Sequence, residues 1–298
     1  LAAQPPAAPE KETVAEWFDR YLEHREAKGH QSVRDARGRI ANWVLPAIGT
    51  RPIAAVTADE LEQILAILDQ AIAEDRISWK TAANVWGEVK AALNQACRSK
   101  RRELRVRSDN PAVNVPGPDR GQEPKQPILY PDEVLKLLAC EGVPAHWRVL
   151  YAFAVYTGAR AGELAALSAE DIDLEHRRIT ISRQKDRVTG ELRMTKTKIT
   201  RAFDIEPALV PLVEKLVAAR PTGPILRLPV DEHRAALLRE HLSKAGVTRA
   251  ELFVTNDRSR MPFTFHGMRH THLTWMAVRG DDGVKIQMRA GHTDFRTT

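Results

Sequence analysis

The feature that most limits how this chain can fold lies near its middle. Residues 108–127 hold five prolines (Pro111, Pro116, Pro118, Pro124 and Pro127) and two glycines. Proline lacks the N–H that helices and sheet ladders use, so neither element can run through such a stretch. Just before it comes Arg98-Ser99-Lys100-Arg101-Arg102-Glu103-Leu104-Arg105-Val106-Arg107, six basic residues and one acid in ten. A 298-residue chain interrupted here divides into two parts, each of ordinary domain size. Its 43% hydrophobic and 28% charged residues are the proportions of a globular chain rather than a disordered one.

The two parts carry different patterns. Residues 1–10 are Pro/Ala-rich and read as a tail. Over 11–107 the periodicity is helical throughout. Thr13-x-x-Glu16 and Thr57-x-x-Glu60 are capping boxes that open helices. Val14, Trp17, Phe18 and Tyr21 share one helical face, and Leu61, Ile64, Leu65 and Leu68 share another. Ile40, Trp43, Val44 and Ile48 predict a helix ending near Pro46 and Gly49, and a further helix follows Ser78. The spacing therefore predicts a four-helix unit without strands, a connector at 108–127 and a second domain over 128–298. In that domain helices are expected from Pro131, over Trp147–Tyr156, Ala208–Ala219, Val230–Ala245, Gly267–Val278 and Asp282–Ala290. Arg178–Ile181 and Arg201–Ile205 alternate as strands around a turn at 188–191. The predicted fold class is mainly α with one small antiparallel β-sheet.

Several functions are discounted by what the sequence lacks. No apolar run is long enough to cross a membrane as a helix, and no signal peptide is visible at Leu1. Cys97 and Cys140 cannot form a disulfide framework and fit a reducing compartment, so a cytoplasmic location is expected. Phosphate-loop, dinucleotide and nucleophile-elbow motifs are absent, and no cofactor is expected. The net charge of +6 and pI near 9.4 are modest, so the clustering of charge matters more than its total. Arginine outnumbers lysine more than two to one, which suits bidentate phosphate contacts, although a GC-rich coding sequence gives the same excess.

Four segments of the second part carry candidate chemistry, each with a plainer alternative. Thr157-Gly158-Ala159-Arg160-Ala161-Gly162-Glu163-Leu164 breaks an apolar helix around one Arg and one Glu; read alone it is a structural ion pair. Met194-Thr195-Lys196-Thr197-Lys198-Ile199-Thr200-Arg201 offers hairpin lysines, which commonly just protect an edge. In Phe265-His266-Gly267-Met268-Arg269-His270-Thr271-His272, His266 and Arg269 share a helix face. His266, His270 and His272 leave a zinc site open as an alternative, although H-E-x-x-H lacks its Glu. Gly291-His292 alone reads as a helix cap.

In order and spacing, these segments together closely resemble the catalytic domain of the tyrosine recombinases, the phage-integrase family. The resemblance runs over about residues 11–298 and includes Thr13-Val14-Ala15-Glu16-Trp17, Asn110-Pro111-Ala112 and Ile286-Gln287. Ala159 and Ala290 depart from the Leu usual there. It implies a helical, SAM-like core-binding domain, then a linker and a catalytic domain. The implied reaction is metal-free breaking and rejoining of DNA through a 3′-phosphotyrosine, carried out by a site-specific recombinase or integrase of a phage or mobile element. Arg160 and Arg269 would clamp the phosphate. Lys196 would be the general acid, with Lys198 as runner-up. His266 would assist proton transfer, His292 would donate to a phosphate oxygen, and Glu163 would orient Arg160. Arg98, Lys100, Arg101, Arg102, Arg105 and Arg107 would hold duplex DNA, and a homo-tetramer would form on paired sites. The family's nucleophilic tyrosine is expected just beyond Thr298. Tyr21, Tyr130, Tyr151 and Tyr156 all precede the four motifs, so the chain as given is expected to bind DNA without cleaving it. The missing initiator Met and the abrupt C-terminus lead to the expectation that the catalytic domain is incomplete. The alternative is a non-catalytic DNA-binding remnant of an integrase.

Overall fold

A computed structural model describes residues 12–30, 32–120, 126–186, 189–195, 199–229, 233–255 and 261–295. The chain separates into two compact units, Leu1–Gly121 and Gln122–Thr298.

The first unit is built from α1 (Val14–Ala27), α2 (Val33–Trp43), α3 (Leu45–Ile48), α4 (Ala58–Ala73) and α5 (Trp79–Arg98). Both capping boxes form: the Thr13 and Thr57 hydroxyls accept the N–H of Glu16 and Glu60, and those carboxylates accept the two cap N–H groups in return. The helix expected through Ile40–Ile48 is in fact two. Pro46 has no N–H to continue the ladder, so α2 ends and a single turn, α3, begins beyond Val44. Val14, Trp17, Phe18, Leu61, Leu68, Val85 and Leu93 share the core. Trp17 stacks on Tyr21 at 5.2 Å between ring centres and donates its indole N–H to the Leu104 carbonyl at 3.1 Å.

Part of the proline-rich stretch expected as a connector over 108–127 packs onto the first unit. Ala112 and Val115 are buried in the core of this first unit. The Trp79 indole donates to the Pro118 carbonyl at 3.2 Å, and the Asp119 N–H to the Asp69 carboxylate at 3.0 Å. Prolines suit this lining, because they bring no N–H that burial would leave unpaired.

The second unit contains α6 (Pro131–Ala139), α7 (Ala145–Thr157), α8 (Ala161–Ala166), β1 (Ile172–Asp173), β2 (Arg178–Ile181), β3 (Arg183–Lys185), β4 (Leu192–Met194), β5 (Arg201–Asp204), α9 (Val210–Ala219), α10 (Arg234–Lys244), α11 (Phe265–Arg279) and α12 (Gly283–Ala290). The fold is thus mainly α with a small β region, as the periodicity predicts. That region is two antiparallel sheets rather than one. Among the described residues, strands β1, β2 and β5 form a three-stranded sheet in the order β1-β2-β5, and β3 pairs with β4. The physical reason is burial. Ile179 and Ile181 of β2 face the core, whereas β3 and β4 bury no residue, although β3 packs against α8. Helix α7 is buried almost throughout, from Trp147 to Thr157, and packs against α11. Both helices end with glycines in the left-handed conformation, Gly158 after α7 at the core and Gly280 after α11 at the surface.

Candidate active site

The site begins where α7 ends. Gly158 takes φ +64°, and a Cβ there would come within 2.7 Å of the buried His272 ring. Only glycine therefore turns the chain so tightly against α11. The turn delivers Arg160 to the position just before α8. Glu163, one turn in, accepts the Arg160 backbone N–H at 2.7 Å and its Nη1 at 3.0 Å. The same carboxylate is gripped by both terminal nitrogens of Arg201 on β5, Nη1 to Oε1 at 3.0 Å and Nη2 to Oε2 at 2.6 Å. Glu163 and Arg201 side chains are 1% and 4% exposed, against 26% for Arg160. Burial alone would raise the Glu163 pKa. The hydrogen bonds and charge of Arg201, with those of Arg160, outweigh it and hold the carboxyl below its ordinary range.

A second arginine converges from α11. Arg269 is buried, and among the described residues its hydrogen bonds go to neutral acceptors. Nη1 donates to the Gly158 carbonyl at 2.8 Å, and Nη2 to the Ala290 carbonyl and to His292 Nε2, the latter at 3.2 Å. Burial, then the neighbouring Arg160, push its pKa down to about 9. An arginine cannot accept, so this contact places the proton of a neutral His292 on Nδ1. His292 itself follows Gly291, which has φ +62° and ends α12.

His266 stands in the first turn of α11, where the Thr264 hydroxyl accepts the Gly267 N–H. Its ring lies 4.8 Å from that of His270, edge to face. The residue surface is open to solvent, yet crowding strips part of the ring's hydration. That desolvation, followed by His270, Arg269, Arg160 and His292, keeps its pKa below the ordinary histidine range. His266 is therefore neutral at pH 7 and able to accept a proton. Desolvation and then Arg269 hold the His292 pKa down in the same way. His272 points elsewhere. It is buried beneath Gly158, and burial presses its pKa down to about 3. The three histidines of the zinc alternative thus do not converge, and among the described residues no three His, Cys, Asp or Glu side chains could hold a metal.

Folding thus brings Arg160, Glu163, His266, Arg269 and His292 together from three separated segments. Lys196 and Lys198 lie outside the described residues. The basic run after α5 splits. Arg98, Lys100, Arg101 and Arg102 are exposed, Arg105 is partly covered, and Arg107 is buried. Arg107 donates to the carbonyls of Ile53 and Val56 at 2.8 and 2.9 Å and to that of Asp109 at 3.2 Å. That removes it from any DNA-facing set, because its guanidinium is spent on the fold of the first unit. Tyrosines of the second unit also have other employment. Tyr151 is buried with its hydroxyl 2.8 Å from His241 Nδ1, Tyr130 lies under the Arg249 guanidinium, and burial raises the Tyr156 pKa. Sequence reasoning missed Arg201. The signal was its strand register: Arg201 pairs with buried Ile181, so its side chain faces inward.

Comparison with known proteins bears on the family and the fold. The model of the phage integrase family matches residues 127–298. The chain belongs to the phage integrase family. Among curated relatives, the ICEBs1 integrase of Bacillus subtilis (strain 168) is 27% identical over 160 residues, which are 51% of this chain and 43% of that protein. The match therefore spans less than half of that relative's length. Among solved structures, the Tn1549 transposon integrase in complex with a circular intermediate DNA has a TM-score of 0.72 at 20% identity, covering 96% of this chain and 93% of that one. A λ integrase tetramer bound to a Holliday junction has a TM-score of 0.69 at 17% identity, covering 96% and 79%. At these identities the structures share the fold.

Proposed function

We propose that this phage-integrase-family chain serves site-specific recombination of a phage or mobile element, with a helical DNA-gripping domain (11–107), a connector (108–127) and a catalytic domain (128–298). The observation that carries the reading is the pairing of Arg160 with Arg269. One is positioned by a carboxylate, and the other is buried and, among the described residues, bonded to neutral acceptors. A buried guanidinium without a carboxylate of its own is a site prepared for an anion.

In the reaction, Arg160 and Arg269 bind the non-bridging oxygens of a DNA phosphodiester and stabilise the charge that grows on them. A tyrosine hydroxyl attacks phosphorus, forming the O–P bond of a 3′-phosphotyrosine while the bond to the 5′-oxygen breaks. Neutral His266 takes the phenolic proton, Lys196 or its neighbour Lys198 protonates the 5′-oxygen, and His292 donates Nδ1–H to a phosphate oxygen. Neither a cofactor nor a metal enters these steps. The 298 residues by themselves bind DNA without cleaving it, because all four of their tyrosines precede the four motifs. Exposed Arg98, Lys100, Arg101 and Arg102, with Arg105, contact the backbone of duplex DNA. Tetrameric assembly on paired sites follows the λ integrase precedent. Among the described residues no helix is long and apolar enough to cross a membrane, and the bacterial cytoplasm, where such DNA resides, is the proposed location.

The test uses a nicked duplex spanning the element's junction, with denaturing gels to detect covalent capture. The 298-residue chain is expected to shift the duplex without a covalent adduct. A polypeptide that also carries the tyrosine encoded within about fifteen codons beyond Thr298 should form one. In that polypeptide Arg160→Ala should abolish capture while binding persists. Capture that survives Arg160→Ala would refute the assignment, and a coding sequence without such a tyrosine would favour the non-catalytic remnant.

A further inference from the structure

Arg201 is a buried charge of the second unit that the mechanism above does not use. The Glu163 carboxylate has about four acceptor directions, and all are filled. Arg160 takes two through its N–H and Nη1, and Arg201 takes two through Nη1 and Nη2. The third Arg201 donor, Nε, bonds the Arg289 carbonyl in the last turn of α12 at 3.0 Å. A Cβ on Gly291 would come 3.2 Å from Arg201 Nη1, so the glycine that precedes His292 is what admits this guanidinium.

We propose that Arg201 is a positioning residue that neutralises Glu163, so that Glu163 orients Arg160 without cancelling the charge Arg160 offers to a phosphate. This inference rests on the phosphate-site reading above. The charges within the cluster make the case. Glu163 carries one negative charge, and Arg160, Arg201 and Arg269 carry three positive ones, so a net of two remains for a phosphodiester. Without Arg201 the buried carboxylate has, among the described residues, Arg160 as its remaining cationic partner, and the ion pair competes directly with the phosphate. Through Nε the same guanidinium fixes the end of α12, which presents His292.

The test measures binding of inorganic phosphate to the 298-residue chain. Histidine ring resonances of His266 and His292 report occupancy, and thermal unfolding is followed alongside. Wild type should show saturable shifts. Arg201→Gln should weaken phosphate binding by about tenfold or more. Arg201→Lys, which keeps the charge but loses the fork, should stay within about threefold of wild type while melting lower. The double variant Arg201→Gln/Glu163→Gln restores a net of two charges and should recover binding to within about threefold. A purely structural Arg201 would give no such recovery, so a double variant as weak as Arg201→Gln overturns the inference, as does wild-type binding by Arg201→Gln. Where Arg201→Gln does not fold, the Lys and double variants decide, and loss of binding by either overturns it. If wild type shows no phosphate-induced shifts, the phosphate-site reading itself fails.

Discussion

Arg101 and Arg201 carry the same charge in opposite circumstances. Arg101 belongs to the basic run after α5. Its side chain is 54% exposed, and its partner Glu103, 3.3 Å away, is equally open. Arg201 is 4% exposed and holds a carboxylate that is 1% exposed, at 2.6 Å. In the first region water screens each charge, so the run can attract a polyanion only weakly and without fixing where it sits. In the second, hydration is replaced by fixed protein dipoles and ions, and each cation points in one direction. Charge density in sequence therefore marks attraction, whereas scattered charges gathered by folding mark a site. Arg107 shows that the boundary is physical and not sequential. It closes the basic run, yet carbonyls of the first unit draw it inward.

The comparison breaks most easily at the two carboxylates. Glu163→Ala leaves Arg201 buried without its counter-charge and should cost about 3–5 kcal/mol of stability. Glu103→Ala, at an exposed pair, should stay within about 0.5 kcal/mol. Urea denaturation of both variants measures the contrast, and similar losses would mean that burial does not separate the two regions. The next effect concerns the turn beneath Arg160. Gly158→Ala forces a side chain into the left-handed region, which alone costs roughly 1–2 kcal/mol, and drives its Cβ against His272. Chemical denaturation should register at least that loss, and a neutral result would remove Gly158 from the site's framework.

A smaller effect is visible through pH. The buried His272 has its pKa pressed down to about 3, chiefly by burial, while an unfolded histidine titrates near 6.5. The unfolded chain therefore binds this proton first. The stabilisation from neutral His272 is full above about pH 6.5 and is lost progressively as pH falls toward the folded value, with a slope of at most about 1.4 kcal/mol per pH unit. Between pH 6 and 5 most carboxylates are still ionised in both states, so histidines dominate that window. Stability curves of wild type and His272→Gln should diverge there by about 1 kcal/mol per pH unit. Parallel curves would show that His272 is not held neutral by its burial.

Much of this arrangement was legible beforehand, for identifiable reasons. Capping boxes at Thr13 and Thr57 are local chemistry, set by residues three apart, so they can be read directly. The order of Arg160, His266, Arg269 and His292 is a linear pattern, and it led to the family. What could not be read is non-local. Strand β5 displays Arg201 inward because it pairs with β2, and that register depends on partners about twenty residues away. The split of α2 from α3 was signalled by Pro46, but the helical periodicity of Ile40, Trp43, Val44 and Ile48 masked it. Residues 108–127 read as a connector because their composition forbids regular structure, yet irregular backbone packs into a core when apolar side chains such as Ala112 and Val115 find a place in it.

The mildest perturbation tests the exposed region on its own terms. Replacing Arg98, Lys100, Arg101 and Arg102 together by Ala removes side chains that face solvent, so unfolding should move by no more than a few tenths of a kcal/mol for each. Their loss should appear instead in DNA binding. Each phosphate contact that disappears should flatten the slope of log affinity against log salt by about 0.9. Arg107→Ala should do the reverse. It strips donors from the carbonyls of Ile53 and Val56, so the protein should melt earlier while the salt slope is retained. Fluorescence anisotropy over a salt series, paired with thermal melts, separates the two outcomes. A salt slope unchanged by the fourfold replacement would leave the basic run as a hydrated helix end, and the exposed region would then hold no DNA.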